Sequence, residues 1–287
     1  MSPARLFILT SLTMLAFAGN SLLCRLALKQ TRIDAASFTS IRLISGALVL
    51  GWLVLRQRRR PLGAGNWPSA LALFVYAASL SFAYGQLEAA TGALLLFGAV
   101  QATMIGYGVW QGERLLRAQV AGLVLALGGL VGLMLPGLAA PPLASALLML
   151  GSGVAWGVYS LRGKGAGDPT QVTAGNFLRT VPITLGLSLL MGNQLSLDWT
   201  GVGYAVISGA LTSGIGYALW YKTLPALKAT QAAIVQLSVP VLAAVGGVVL
   251  LAEPLSWRMV LASGAILGGI ALVILEKKPP REAAKPS

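Results

Sequence analysis

Apolar residues in this chain come in runs of about twenty, each ended by a short cluster of Pro, Gly, Asp, Asn or basic residues. A helix rising 1.5 Å per residue needs about twenty residues to cross a hydrocarbon core of roughly 30 Å, so the pattern predicts membrane-spanning helices. Reading the runs against their breakers gives ten spans: residues 6–28, 35–55, 69–87, 89–110, 118–135, 143–161, 172–191, 199–220, 229–251 and 257–275. The breakers are turn chemistry: Pro61 to Pro68 with its glycines, Pro136-Gly137 to Pro141-Pro142, Asp168-Pro169, Gly192-Asn193 and Pro279-Pro280. The seventh span is the weakest, since it carries Asn176, Arg179 and Pro182. The expected fold is an all-α polytopic membrane protein.

The runs also repeat. Glu113 follows Val109-Trp110-Gln111-Gly112, and Glu253 follows Val249-Leu250-Leu251-Ala252, a shift of 140 residues in a chain of 287. The same shift pairs Leu87 with Leu227, Ala93 with Ala233, Gly106 with Gly246 and Gly128-Gly129 with Gly268-Gly269. Self-similarity at half the chain length predicts two five-helix units, 1–138 and 139–276, followed by a polar tail, 277–287. Five is odd, so the second unit starts on the opposite side of the membrane. Inverted repeats of this kind enclose a central cavity in secondary transporters.

Composition agrees with this and narrows the chemistry. Hydrophobic residues make up 56% and charged residues 10%, far below the quarter typical of soluble domains. The net charge of +13 sits at span ends and in the tail, not on a basic domain with interleaved aromatics, so nucleic acid is not an expected partner. Arg5, Arg56, Arg58, Arg59, Arg60, Arg114, Arg117, Arg162, Lys164, Lys222, Lys228 and the tail residues Lys277, Lys278, Arg281 and Lys285 fall on one side of the ten-span scheme. Lys29, Arg32 and Arg258 fall on the other. Positive charge stays in the cytoplasm, which puts both termini there. With no histidine and one cysteine, Cys24, His-based metal sites, triads and proton relays are excluded; no enzyme, metal or cofactor is expected. Residues 6–18 after Arg5 have the outline of a secretory signal, with Ala16-Phe17-Ala18 at its end. The apolar run continues to Leu28, however, and the repeat needs this helix, so it is expected to be retained.

Two glutamate junctions, Gly112-Glu113-Arg114-Leu115 and Ala252-Glu253-Pro254-Leu255, each follow the fourth span of a half and precede a glycine-rich fifth span. On these residues the chain resembles the drug/metabolite transporter superfamily, EamA type. Pro240 matches a frequent family proline, while its counterpart Val100 departs from the pattern. In detail the chain looks like the YddG-type bacterial exporters of aromatic and other neutral amino acids. The resemblance implies a secondary exporter in the cell inner membrane with small-molecule substrates. An ATPase subunit is not expected, because no G-x-x-x-x-G-K-[ST] motif occurs and the loops are short. A drug or nucleotide/sugar-type carrier of the same superfamily is the alternative.

A transport cavity must draw on the few polar and aromatic residues inside the spans. Thr13, Phe17 and Asn20 share one helical face, as do Ser152, Trp156 and Tyr159 in the repeat-related sixth span. Thr91, Gly98 and Gln101 share a face of the fourth span, and the 140-residue shift carries the first two onto Gln231 and Ser238. The expected substrate-binding set is Asn20, Tyr76, Ser79, Tyr84, Gln101, Trp156, Tyr159, Ser213, Gln231 and Ser238. Packing and interfacial anchoring are the competing roles for such residues. Arg42 and Arg179 lie about eight residues inside related spans, where snorkelling or pairing with helix-end carbonyls competes with function. Glu113 and Glu253 are expected to cap the helix that follows each. Gly128-x-x-x-Gly132 and Gly264-x-x-x-Gly268 are expected to let helices approach within the protein.

Overall fold

In the computed structural model the described part of each apolar run is helical, and several helices start at a capping side chain. Residues 2–112, 115–135, 140–163, 166–192, 195–223, 226–227 and 235–275 are described. Among them ten helices follow in order: α1 (Pro3–Gln30), α2 (Ala35–Arg56), α3 (Trp67–Tyr84), α4 (Ala89–Trp110), α5 (Arg117–Met134), α6 (Leu143–Gly163), α7 (Pro169–Leu190), α8 (Trp199–Thr223), α9 (Ser238–Leu251) and α10 (Trp257–Leu275). Seven of these are long and apolar enough to cross a membrane, and α9 and α10 are shorter apolar helices. The expected span 229–251 is described only from residue 235, and Glu113, Gln231 and the tail lie outside the described residues.

Side-chain caps repeat across the halves. The Asp34 carboxylate accepts the Ala36 and Ser37 N–H groups at the start of α2, and Asp168 accepts Gln171 N–H at the start of α7. Asn66 caps α3 and Asp198 caps α8 in the same way. Each cap answers one of the four N–H groups a helix leaves unpaired, a need that is acute near lipid. The C-terminal turns repeat as well. Gly112 ends α4 at φ 90°, and Ala252, its partner in the 140-residue shift, ends α9 at φ 51°.

Packing follows an exchange pattern. α3 lies on α6 as α8 lies on α1, α4 lies on α6 as α9 lies on α1, and α2 contacts α8 as α7 contacts α3. The pairs α2–α7, α4–α9 and α5–α10 join the halves directly. Loop contacts separate into two faces in strict alternation. On the basic face Arg59 pairs with Asp168, Gln171 donates to the Arg60 carbonyl, and Arg162 donates to Ser69 Oγ. On the opposite face Ser196 N–H donates to Asp34, and Asp34 N–H donates back to the Ser196 carbonyl. Burial works to raise the Asp34 carboxyl, but hydrogen bonds from Ser37, Ser196 and Ala36 outweigh it and hold the group below its ordinary value.

Close helix crossings rest on glycines, though not those expected. A Cβ on Gly122 would lie 2.5 Å from the Gly269 carbonyl oxygen, and one on Gly269 would lie 2.4 Å from that of Gly122. This is the α5–α10 crossing. Gly128, Gly132, Gly264 and Gly268 have nothing within 4 Å of such a Cβ, so the expected role of the two G-x-x-x-G motifs in packing within the chain is overturned. At the α2–α8 crossing Gly209 faces the Arg42 carbonyl and Ser45 Oγ, each 2.0 Å from where a Cβ would be.

Ala252 holds a left-handed conformation that costs an L residue roughly 1–2 kcal/mol, which the greater unfolded freedom of glycine partly offsets. Ala252→Gly is expected to stabilise the protein by up to about 1 kcal/mol, read as a higher midpoint of thermal unfolding in detergent. Gly112→Ala is expected to shift it the other way. A lower midpoint for Ala252→Gly would reject the shared-turn assignment.

Candidate functional site: an aromatic cluster closed at the centre

Five helices from both halves converge on a nearly filled cavity. Its wall is Phe17, Asn20 and Ser21 of α1, Tyr76 of α3, Leu96 and Phe97 of α4, Trp156 of α6 and Tyr217 of α8. The free volume is only about 10 Å³, room for about one water. Trp156 occupies the middle, with ring centroids 4.7 Å from Tyr76, 4.9 Å from Tyr217, 5.6 Å from Tyr159 and 6.2 Å from Phe17. Phe17 presents its edge to Tyr217 and Trp220, each 5.8 Å away. These separations lie in the range where aromatic pairs attract beyond simple burial. The helical face shared by Ser152, Trp156 and Tyr159 turns toward α3, where Ser152 Oγ donates to the Tyr76 carbonyl at 2.8 Å.

Behind the rings lies a chain of polar groups. Asn20 Nδ2 donates to the Tyr76 hydroxyl at 3.3 Å, and Asn20 Oδ1 accepts Ser208 Oγ at 2.7 Å and Thr212 Oγ1 at 3.4 Å. Arg42, 1% exposed, donates from Nη2 to the Tyr76 hydroxyl and from Nε to Ser213 Oγ, both at 3.3 Å. Ser208, Thr212 and Ser213 come together because α8 widens into a π-helix over Ser208–Ile215. An i→i+5 turn is uncommon and recurs at functional sites, since it re-aims side chains that an α-helix would spread around its surface.

The face opposite the basic one is shut by a buried ion pair. Arg25 Nε donates to Glu253 Oε1 at 2.8 Å, and Arg25 Nη1 donates to the carbonyls of Tyr84 and Gly85 at 2.9 and 3.3 Å. Glu253 Oε2 accepts the Ala89 N–H at 2.7 Å. The carboxylate therefore caps α4 of the other half, not the helix that follows it, which corrects the expected local cap. The chain allows this because Ala252 turns Glu253 back over Gly247, whose missing Cβ leaves space beside Oε2. Nearby, a cavity of about 300 Å³ opens between Gln86, Glu88, Thr91, Pro141, Pro142 and Met259. Burial, and then the Glu253 carboxylate, push the Glu88 carboxyl above its ordinary range against the pull of Arg25 and Lys29.

The expected site residues divide. Asn20, Tyr76 and Trp156 line the central cavity, Tyr159 stacks beneath Trp156, and Ser213 reaches the group through Arg42. Tyr84 is fully buried in the ion-pair layer, where its hydroxyl donates to the Ala89 carbonyl. Gln101 is buried but not in the wall, Ser79 is half-buried away from it, and Ser238 Oγ donates to the Val235 carbonyl. Gln231 lies outside the described residues. Thr91 and Gly98 face Met259 of α10 and Leu130 of α5, so that face of α4 points away from the centre. Arg179 binds the carbonyls of Ala64, Gly175 and Leu62, the snorkelling outcome. Arg25 carried no local signal in the sequence, since its partner lies 228 residues away.

Known proteins place this architecture. The EamA-like transporter family matches residues 143–275. An uncharacterized protein of Pseudomonas aeruginosa is 57% identical over 99% of this chain and 100% of its own length. An Archaeoglobus fulgidus protein described as an uncharacterized transporter is 30% identical over 58% of this chain and 60% of its own. The threonine/homoserine exporter RhtA of Escherichia coli is 29% identical over 42% of this chain and 41% of that one. A solved crystal structure, 23% identical, shares the fold with a TM-score of 0.64 over 92% of this chain and 97% of the other. Residues 143–275 carry the match to the EamA-like transporter family, and the chain is a multi-pass membrane transporter, not an enzyme.

Removing one partner of a buried ion pair costs about 3–5 kcal/mol, whereas replacing both by apolar groups costs much less. Glu253→Ala is therefore expected to lower the thermal midpoint in detergent more than Arg25→Met combined with Glu253→Met. Equal losses would mean that the pair is not energetically coupled.

Proposed function

We propose that this chain is a secondary exporter of small amphiphilic metabolites, chiefly aromatic and other neutral amino acids. It moves them from cytoplasm to periplasm across the bacterial inner membrane. The observation that carries this reading is the central cluster. Ring faces of Phe17, Tyr76, Trp156 and Tyr217 supply an apolar wall, and Asn20 supplies an amide at its edge. Pockets of this composition, mostly aromatic with a few placed polar groups, suit a solute with an apolar body and a polar end. The similarity to RhtA, named a threonine/homoserine exporter, supports an amino-acid solute. The arginine-rich face is assigned to the cytoplasm by the excess of Lys and Arg there.

Alternating access follows from the two halves, 1–138 and 139–276. With about 10 Å³ free, the centre is closed to any solute, so transport requires the halves to rock and part the rings. Trp156 touches rings on three other helices, so parting the cluster must break its contacts.

Purified protein in liposomes preloaded with unlabelled amino acids is expected to show counterflow of labelled phenylalanine, tryptophan, methionine or threonine. Trp156→Ala should reduce it by about tenfold or more at unchanged monodisperse yield, equivalent to about 1.4 kcal/mol. No uptake above empty liposomes across the panel would reject the amino-acid reading and leave another metabolite carrier of the same fold.

A further inference from the structure

We infer that the Arg42 guanidinium is the receptor for a carboxylate of the transported solute, so that the central site takes monocarboxylates with an apolar or aromatic body and rejects organic cations. This deepens the transport reading and rests on it.

The inference starts from a charge without a counter-charge. Arg42 is among the largest fully buried side chains, and its guanidinium stays protonated at any physiological pH. No carboxylate among the described residues pairs with it; the ion pairs there are Arg25–Glu253 and Arg59–Asp168. Its partners are two neutral hydroxyls, on Tyr76 and Ser213, each at 3.3 Å. Bonds from a guanidinium to an anionic oxygen run shorter, about 2.7–2.9 Å. Arg42 Nη1 is buried and has no hydrogen-bond partner at all. Arg25 and Arg179, the other arginines well inside helices, are both fully engaged by a carboxylate or by carbonyls.

A second unsatisfied group stands beside the first. The Tyr217 hydroxyl, close enough to Arg42 and Tyr76 to interact electrostatically, is buried and makes no hydrogen bond of good geometry. Tyr217 and Tyr76 both line the central cavity, and the Arg42 guanidinium lies over the Tyr76 ring, 5.3 Å from its centroid. An anion entering between the tyrosines would meet an N–H that no hydrogen bond occupies and an O–H with no hydrogen bond of good geometry. A carboxylate has two oxygens and one charge, which matches one guanidinium. A phosphate dianion would call for a second cation, and none lies beside Arg42 among the ion pairs and hydrogen bonds described.

The guanidinium is also held in place. Gly209 lets α8 press against the Arg42 carbonyl, and Gly46 of α2 packs near the Gly209 carbonyl. The backbone that carries Arg42 is thereby fixed against the π-helical segment that supplies Ser213. The same charge repels cationic solutes by the ordinary Coulomb interaction, which is strong in a low-dielectric bundle.

Thermal stabilisation of purified wild-type protein by phenylalanine, 3-phenylpropionate and phenylethylamine tests this directly. The two carboxylates are expected to raise the midpoint and phenylethylamine to leave it unchanged. Arg42→Gln, which removes an unpaired charge, is expected to keep or raise the unliganded midpoint and to weaken both carboxylates at least tenfold, with Arg42→Lys between. Stabilisation by phenylethylamine equal to that by phenylalanine would overturn the inference, and so would no response to either carboxylate. Unchanged carboxylate affinity in folded Arg42→Gln would overturn it too. The wild-type panel decides even if the variant fails to fold. Arg42-dependent binding of 3-phenylpropionate without amino-acid counterflow would sink the amino-acid reading and leave this assignment standing.

Discussion

Every charge that enters a membrane bundle has to be satisfied where it lies, because lipid offers no hydrogen bonds. The three arginines that lie well inside these helices meet that demand in three ways. Arg179 reaches the carbonyls of 62–64 near the basic face, and Arg25 takes a carboxylate and two carbonyls near the other. Arg42 has only two hydroxyls and a ring face. Much of the bundle is arranged around these groups. Arg25 and Glu253 join α1, the α3–α4 junction and the end of α9. Arg42 joins α2 to α3 and to the π segment of α8.

The ten-helix architecture could be read from the sequence because its causes are local. Apolar runs of spanning length, side-chain caps at Asp34, Asn66, Asp168 and Asp198, and a left-handed turn at residues 112 and 252 each act within a few residues. α7 shows where local hydropathy falls short. Asn176 and Arg179 make the run look marginal, yet Asn176 Oδ1 accepts the Asn66 N–H and Arg179 binds the same loop, so both are spent on one loop of α2–α3. A polar residue in a span is a poor guide to the span's existence when a loop folds back onto it.

The site was legible in part, and the division has a physical reason. Spacing on α1 and α6 placed Asn20, Trp156 and Tyr159 on the faces that meet in the aromatic cluster, since a helix of known phase needs only one aromatic to point inward. On α4 the polar stripe of Thr91, Gly98 and Gln101 was misleading. Small and weakly polar residues serve helix crossings as readily as cavities, and Thr91 and Gly98 serve contacts with α10 and α5. The cavity wall of α4 is instead Leu96 and Phe97, which no polarity argument would select. The glutamate at 253 pairs across 228 residues, and the π-helical widening of α8 changes its phase mid-helix. Neither is encoded in local periodicity.

On the proposed alternating-access reading, the closed centre and the ion pair above it would act as one barrier. Arg25 belongs to the first half and Glu253 to the second, so rocking the halves apart on that face must separate them. In the dry, closed state their mutual attraction offsets the desolvation of both. In an open state water would hydrate each charge separately, and the lost Coulomb energy would be largely offset by solvation. Intermediate separations, too wide for contact and too narrow for water, satisfy neither condition. A buried ion pair at the edge of a cleft therefore favours two end states over a continuum between them. The aromatic layer below behaves alike: rings in contact at 4.7–4.9 Å lose their attraction steeply with a small gap, and a gap too small for a solute has nothing to replace them. Together these two layers would make alternating access in this chain a passage between discrete packings.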